Sequence, residues 1–381
     1  MPAEPAHVTL AERLLARIEQ GELPDVPVGE VARDEYLSEA RFAAERALLA
    51  RLPLVAAVDD EIAQPGACVA VDHAAAPLLL VRGADGALRG VRNACRHRAT
   101  RLVDGDAPPC TKKAIVCPYH GWTYDLTGAR IHVPHEDAFA GRAAERDALA
   151  PVHVASRHGI VWASLEPFDL AEFLGPIDAD LAALGASGWA LYRRSVRDVR
   201  GNWKLVVDAF LDAYHIRTLH RDTVYRFFLD AQAEAELAGP HIRAVTARRA
   251  LLDARRGSLG ERADLRELVT PSYLVFPNTI LVVHPDYLSV LASFPLGVAR
   301  TRFVHWMLVP ERPASEADER HWAKSFTLVD EGVFLDEDLF IVEAMQRGLE
   351  AATDRTLLFG KHEHAALWFH ERIAAALGTR T

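Results

Sequence analysis

Residues 8 to 20 (VTLAERLLARIEQ) and 38 to 52 (SEARFAAERALLARL) place apolar side chains at helical spacing, with charged opposite faces. From about Pro53 the texture changes to short β-like runs separated by Gly, Asp and Pro, at 67–71, 78–81, 88–92, 114–117 and 159–165. This stretch ends near Pro167, after which helical patterns return. Residues 203–220 read as one helix and 221–237 as a second. A β-rich block follows from about Val269 to Pro310, with apolar runs such as Thr279–His284 and Leu288–Phe294, and the remainder of the chain is helical again. The Arg/Ala-rich stretch 246–268 shows no core face and reads as an exposed helix or loop insertion of unassigned role. There is no internal repeat and no low-complexity segment. The pattern predicts an α+β protein with an all-β portion near its start.

Composition narrows this. A chain of 381 residues is too long for one ordinary compact core, so two domains are expected. Against 43 basic residues stand 53 acidic ones, a net charge of −10, which repels nucleic acid and anionic membranes. The first thirty residues lack a basic run followed by an apolar core, and no stretch approaches the roughly 18 apolar residues of a membrane span. A cytoplasmic protein is therefore expected. The four cysteines, Cys68, Cys95, Cys110 and Cys117, are not expected to form disulfides in a reducing compartment, which leaves metal ligation or redox chemistry as the specific use. Several of the 17 histidines fall at ligand spacing.

Cys95-Arg96-His97 and Cys117-Pro118-Tyr119-His120 lie in the β-rich stretch with nineteen residues between them. Each half supplies one thiolate and one imidazole from what should be a loop between strands. Two facing loop tips of this kind can hold a binuclear cluster, two cysteines on one iron and two histidines on the other, which is the ligand set of a Rieske centre. The neutral imidazoles make such a cluster easier to reduce. A structural Cys2His2 zinc site accepts the same atoms but usually pairs two cysteines in one half and two histidines in the other. The mixed halves favour iron and sulfide. Cys68 and Cys110 match no ligand position and read as ordinary thiols.

The second constellation is the stretch from Asn202-Trp203-Lys204 through Asp208, Asp212 and His215 to His220. On a helix Asp208, Asp212 and His215 lie at i, i+4 and i+7 and share a face that would normally be core. Two carboxylates and an imidazole are costly there unless they bind something. His220 is five residues beyond His215, so a helix end, a bend or a π-type distortion is expected between them. Two histidines and one carboxylate would make the facial triad of ferrous iron. A zinc hydrolase site and a satisfied polar core are the alternatives. Lys361-His362-Glu363-His364, with His370 beyond, also looks like a metal box, but clustered histidines alone are weak support for one.

The settings N-A-C-R-H-R (93–98) and C-P-Y-H-G-W-T-Y-D (117–125) closely resemble the Rieske domain of the aromatic-ring-hydroxylating oxygenase α subunits. Asp-x3-Asp-x2-His-x4-His after N-W-K resembles the mononuclear-iron motif of the same family, in the same order along the chain. The segment from Glu337-Asp338 to Gln346-Arg347-Gly348-Leu349 resembles its E-D…E-x-x-Q-x-G-L helix. Two departures are Ala99, where the family usually has glycine, and Ala209, where many members have asparagine.

The resemblance implies a Rieske [2Fe–2S] β-domain followed by a helix-grip (Bet v1-like, START-like) catalytic domain, an antiparallel sheet around a long helix. The expected division is 1–52 as N-terminal helices packing on the catalytic domain, 53–166 as the Rieske domain and 167–381 as the mononuclear-iron domain. It implies Cys95, His97, Cys117 and His120 as cluster ligands and His215, His220 and Asp338 as iron ligands, with Asp336 and Glu337 as nearby competitors for the carboxylate. Asp212 would be the carboxylate that bridges to the cluster of a neighbouring subunit, through His120, Asp212 and His215 in a head-to-tail homotrimer. Asp208 would support the iron site without binding it. Phe276-Pro277-Asn278 also resembles a family stretch expected near the pocket.

The implied activity is that of a terminal oxygenase, using dioxygen to hydroxylate or oxidatively demethylate a small organic, aromatic substrate. An aromatic-ring cis-dihydroxylating dioxygenase is the alternative, and a Rieske electron carrier without oxygenase activity a lower one. No G-x-G-x-x-G follows a strand, and neither a GxxxxGK[ST] loop nor the C-x4-C-x2-C spacing of a plant-type ferredoxin appears. A separate NAD(P)H-dependent reductase, with or without a ferredoxin, is therefore implied. Substrate identity and the pocket-lining residues are not legible at this level.

Overall fold

The computed structural model describes residues 5–73, 76–105, 109–261 and 265–379. The chain divides into two compact units. One is Leu49–Phe173; the other combines Met1–Leu48 with Leu174–Thr381.

Unit Leu49–Phe173 is built on a seven-stranded antiparallel sheet in the order Leu54–Val58, Ile160–Ser164, Pro151–Arg157, Leu88–Arg92, Pro77–Arg82, Ala67–Asp72 and Cys110–Thr111. The apolar runs in its middle follow from burial on both faces. Ala67, Val69, Val71, Leu78 and Leu80 enter one cluster, while Cys68, Ala70, Leu79 and Val81 enter another with Trp122 and Tyr124. The period of two sends alternate side chains to opposite cores, so neither set can be polar. Cys68 and Cys110 face each other across adjacent strands, and both thiols are free. A smaller sheet of Ile115–Val116, Thr123–Tyr124 and Arg130–His132 carries the second cysteine–histidine loop.

The other unit holds a second seven-stranded antiparallel sheet. Its order is Ala190–Val199, Arg300–Val309, Leu288–Gly297, Thr279–Val283, Val269–Val275, His241–Arg248 and Phe228–Ala238. The Trp203–Leu211 helix packs across its middle strands. Asn202 caps that helix by accepting from the Lys204 N–H at 3.0 Å, and its amide donates to the carbonyls of Tyr36 and Val298 at 2.9 Å each. Lys204, fully buried, donates to both oxygens of the equally buried Glu45 at 2.7 and 2.8 Å, and the Trp203 indole donates to the same carboxylate at 2.9 Å. The N-W-K triplet is thus the joint between the N-terminal segment and the central helix. Breaking one partner of such a buried pair costs about 3–5 kcal/mol, because the other charge is left stranded.

Three sequence readings need correction. The 203–220 helix stops at Leu211 and resumes only as the short helix Ile216–Leu219, so Asp208, Asp212 and His215 do not share one helical face. Residues 228–238 are a strand paired with His241–Arg248, not a helix. Their alanine- and glutamate-rich composition favours helix, but hairpin pairing overrides local propensity. The 246–268 stretch does have a core face. Leu251, Leu259, Leu265 and Leu268 are buried against Leu10, Ala11, Leu14 and Leu15 of the Pro5–Gln20 helix; residues 246–248 end the His241–Arg248 strand, 262–264 lie outside the described residues, and the rest of the backbone runs through short turns that no helical or strand period reveals. Among the described residues no helix is long and apolar enough to cross a membrane.

Two deeply buried imidazoles set an acid limit on the fold. Burial, helped by the nearby positive charge of Arg243, pushes His7 down to about 3. Burial also pushes His73 down to about 4, with Arg92 assisting and a hydrogen bond involving the Ala163 backbone opposing. Both ionise near 6.5, the ordinary imidazole value, once exposed. The unfolded chain therefore binds more protons below that value, and stability is lost as pH falls through it. Each site costs about 2 kcal/mol between pH 7 and pH 5. The apparent melting temperature should fall over this interval; one that is flat from pH 7 to pH 5 contradicts the assignment.

Candidate functional site

The two cysteine–histidine loops share one backbone device. The Ala99 N–H donates to the Cys95 carbonyl at 2.9 Å, and the Gly121 N–H to the Cys117 carbonyl at 3.1 Å. Each donor residue is left-handed, with φ 59° at Ala99 and 72° at Gly121. Gly121 adopts this without steric cost; Ala99 carries a strain of about 1 kcal/mol that glycine would relieve.

These matched turns bring Cys117 close enough to act on the Cys95 thiol and set the His97 and His120 rings 4.7 Å apart. His97 stacks on Trp122 at 5.1 Å, and its Nδ1 is buried with no protein partner. Burial, then the positive surroundings of His120, Arg98 and Arg146, pull the His97 imidazole down, so it is held neutral. Burial pushes the Cys95 thiol up, against the Tyr124 hydroxyl and the His97 backbone, which pull it down. Two thiols on one side, two imidazoles on the other and an orphaned ring nitrogen fit a cluster with two thiolates on one iron and two imidazoles on the second.

The second site lies in the other unit. Where the Trp203–Leu211 helix ends, Asp212 turns extended, and its Oδ1 accepts the N–H groups of Tyr214 and His215, starting the short Ile216–Leu219 helix. His215 and His220 flank that single turn, so both rings project from it to the same place. The third group arrives on Thr327–Leu339, thirteen residues of π-helix that the sequence pattern reads only as helix. His215 Nε2 and His220 Nε2 are 3.1 Å apart, and Asp338 Oδ1 lies 3.6 and 3.2 Å from them. Donors bound at right angles about 2.1 Å from one ion would be ~3 Å apart, so this triangle matches one face of an octahedron. Among the described residues this is the group of histidine and acidic side chains able to hold a metal ion.

The outer contacts fix which ring nitrogens face the triangle. His220 Nδ1 lies 2.7 Å from Glu337 Oε2, which also accepts from the Thr223 hydroxyl at 2.8 Å. His215 Nδ1 lies 3.1 Å from Asp212 Oδ1. Each carboxylate accepts a hydrogen bond from an Nδ1–H, which turns both Nε2 lone pairs inward against the buried Asp338 Oδ1, itself lacking a well-aligned donor. Without a metal only a proton can relieve this. Burial pulls His215 down, yet the Asp212 hydrogen bond and the charges of Asp212, Asp338 and Glu337 lift it to about 9. Burial likewise opposes the rise at His220, which Asp338 and Glu337 bring about. A cation here would displace that proton.

Glu337 therefore orients His220, Asp336 is exposed, and Asp338 is the carboxylate in the triangle. Asp208 stays outside it. Tyr36 donates to Asp208 at 2.7 Å, and His370 Nε2 lies 3.1 Å away. His370 is thus a buried partner of Asp208, while His362 stacks on Tyr214 and His364 Nδ1 contacts the Lys361 carbonyl, so the 361–370 box is not a shared site. The triangle opens onto a cavity of about 240 Å³ lined by Phe210, Ile216, Val224, Val333 and Phe334 on one side and by strand residues on the other. Phe276 and Asn278 do not line it; their turn is held by the His241 ring and the Ser293 carbonyl. Tyr124, Arg248 and His284 escaped sequence reasoning, and only the Tyr124 position, inside the second cysteine–histidine motif, carried a signal.

Both units have counterparts among known proteins. Residues 187–379 match the family described as ring hydroxylating alpha subunit (catalytic domain), and residues 53–152 match the Rieske [2Fe-2S] domain. A carnitine monooxygenase oxygenase subunit from Acinetobacter pittii is 25% identical over 360 residues, 89% of this chain and 92% of that protein. A glycine betaine monooxygenase oxygenase subunit from Pseudomonas aeruginosa is 27% identical over 228 residues, 58% of this chain and 49% of the other. Among solved structures, the quaternary ammonium Rieske monooxygenase CntA with L-carnitine superimposes with a TM-score of 0.77 at 21% identity, covering 96% of this chain and 97% of the other. Naphthalene 1,2-dioxygenase from Rhodococcus gives 0.75 at 20%, covering 97% and 98%.

The chain belongs to the ring hydroxylating alpha subunit family. It is a Rieske non-haem iron oxygenase, and its cofactors are a [2Fe–2S] cluster and a mononuclear iron.

The Tyr124 hydroxyl sits 3.3 Å from the Cys95 sulfur and accepts the Arg96 N–H at 3.0 Å. Hydrogen bonds to cluster sulfurs raise the potential by stabilising the added electron. Tyr124→Phe should lower the cluster potential by ~50 mV, the one-electron equivalent of about 1 kcal/mol. Protein-film voltammetry reads this directly, and an unchanged potential contradicts the contact.

Proposed function

We propose that Cys95, His97, Cys117 and His120 hold the cluster, that His215, His220 and Asp338 hold the iron, and that the 240 Å³ cavity beside them receives the substrate. The observation that carries this reading is the triangle of two inward lone pairs and one carboxylate oxygen at the mouth of an apolar cavity. Bound there, iron would supply a place for dioxygen to be reduced beside the substrate. The chain's own residues do the rest. Glu337 and Asp212 fix the imidazole tautomers. Phe210, Val333 and Phe334 exclude water and press the substrate toward the triangle. Asp208, held by Tyr36 and His370, secures the end of the Trp203–Leu211 helix just before Asp212.

The reaction favoured is hydroxylation or oxidative demethylation with one oxygen atom entering a small organic substrate. The support is that a relative matched over 92% of its length is named a monooxygenase subunit. Electrons would come from a separate NAD(P)H-dependent reductase, with or without a ferredoxin, in the reducing cytoplasm. Two unlike apolar patches support a head-to-tail homotrimer. Val116, Tyr119 and Ile131 are exposed beside the exposed His120 on the cluster unit. Tyr214, Phe340, Met345 and Leu358 are exposed on the other unit, where a second cavity of about 560 Å³ reaches Asp212 and His215. Such a heterologous contact closes as a ring. It would place Asp212 between His120 of one subunit and His215 of the next.

His215→Ala should keep the Rieske electron paramagnetic resonance signal and lose both the mononuclear iron and the oxygenated product. Normal product formation by this variant would overturn the triad. Asp212→Asn should retain cluster and iron but turn over about 100-fold more slowly. A variant with unimpaired turnover, or a native enzyme that sediments as a single chain, would rule out the bridge.

A further inference from the structure

The cavity is two-sided. Outside the triangle and Asp212 the wall of helices and turns is apolar, whereas the opposite wall carries Thr246, Arg248, Thr270, Ser272 and His284. Arg248 is the cation of that wall. Its guanidinium lies 5.6 and 5.5 Å from the rings of Phe227 and Phe228 and donates to the Thr270 hydroxyl at 3.3 Å. No carboxylate of the described residues pairs with it. The acids lining the cavity are Asp212 and Asp338, and both face the imidazoles of the iron triangle.

His284 adds no competing charge. Burial, then the neighbouring His305 and Arg248, push it down to about 3. A partly desolvated guanidinium with neutral hydrogen-bonding neighbours and no counter-charge is costly until an anion meets it.

We infer that Arg248 is the specificity-determining residue of this enzyme and that its substrate is a carboxylate. The carboxylate is held by the guanidinium, and the apolar body lies against Phe210, Val333 and Phe334. An acid with an apolar body fits better than a betaine, because Arg248 already occupies the faces of Phe227 and Phe228 that would otherwise receive an ammonium group. The inference rests on the cavity being the oxygenation pocket, but the binding step requires neither dioxygen nor turnover.

The test is calorimetric titration of the oxidised holoenzyme with benzoate, phenylacetate and 3-phenylpropionate, each beside its amide, and with carnitine as the betaine arm. At least one acid should bind about 10- to 100-fold more tightly than its amide and more tightly than carnitine. Arg248→Gln should bring that ratio to about one, and Arg248→Lys should restore part of it, with a melting transition and mononuclear iron content matching the native enzyme reporting that both variants are folded. Equal binding of acid and amide, a ratio that survives Arg248→Gln, tighter binding of carnitine, or no acid binding at millimolar concentration would each overturn the inference. An intact ratio in an enzyme whose His215→Ala variant still oxygenates would sink the iron assignment and leave the Arg248 site standing.

Discussion

Two imidazole lone pairs and a carboxylate oxygen, held 3.1 to 3.6 Å apart in a largely buried place, cannot stay as they are without a cation between them. Much of the unit around them serves to keep them there. The helix ends at Leu211 so that one short turn can present both rings. Asp212 and Glu337 hold the far nitrogens, and the π-helical segment delivers two consecutive acids to opposite sides of His220. An α-helical or straight arrangement would send those groups elsewhere.

The same logic explains the N-terminal segment. Glu45, Tyr36 and Asn202 tie it to the central helix through buried hydrogen bonds, those of Glu45 with Lys204 and Tyr36 with Asp208 being charge-assisted. Its helices thereby brace the helix that leads into Asp212 and His215, although they contribute no side chain to the triangle. In the cluster unit the equivalent constraint is the pair of left-handed turns, which set two thiols and two imidazoles from separate loops into one frame.

The sequence exposed the proposed ligands more readily than the shapes that hold them. Cys-x-His and Cys-x-x-His are local, and their mixed halves argued for iron over zinc before any fold was known. The five-residue gap from His215 to His220 signalled a broken helix, but where it broke depended on Asp212 capping the next turn. Asp338 was singled out from Asp336 and Glu337 by the family resemblance alone, because three acids on one helix differ only in what they face. Arg248 lay hidden in a stretch that seemed to have no core face. Its role comes from the strand pairing of Phe228 with Arg248, a long-range register that no local period encodes. The 228–238 strand was missed for the same reason, as alanine and glutamate satisfied a helical reading that only the hairpin overrules.

The central claim is that one chain carries two chemically distinct iron sites. Mössbauer spectroscopy of anaerobically purified, iron-57-enriched enzyme, with iron and acid-labile sulfide counted on the same sample, tests it most directly. The account predicts two irons in a cluster with unequal thiolate and imidazole sites, two sulfides, and a further high-spin ferrous ion that a mild chelator removes without disturbing the cluster. Zinc in place of the separate ferrous ion, or a cluster whose two irons are equivalent, would contradict it.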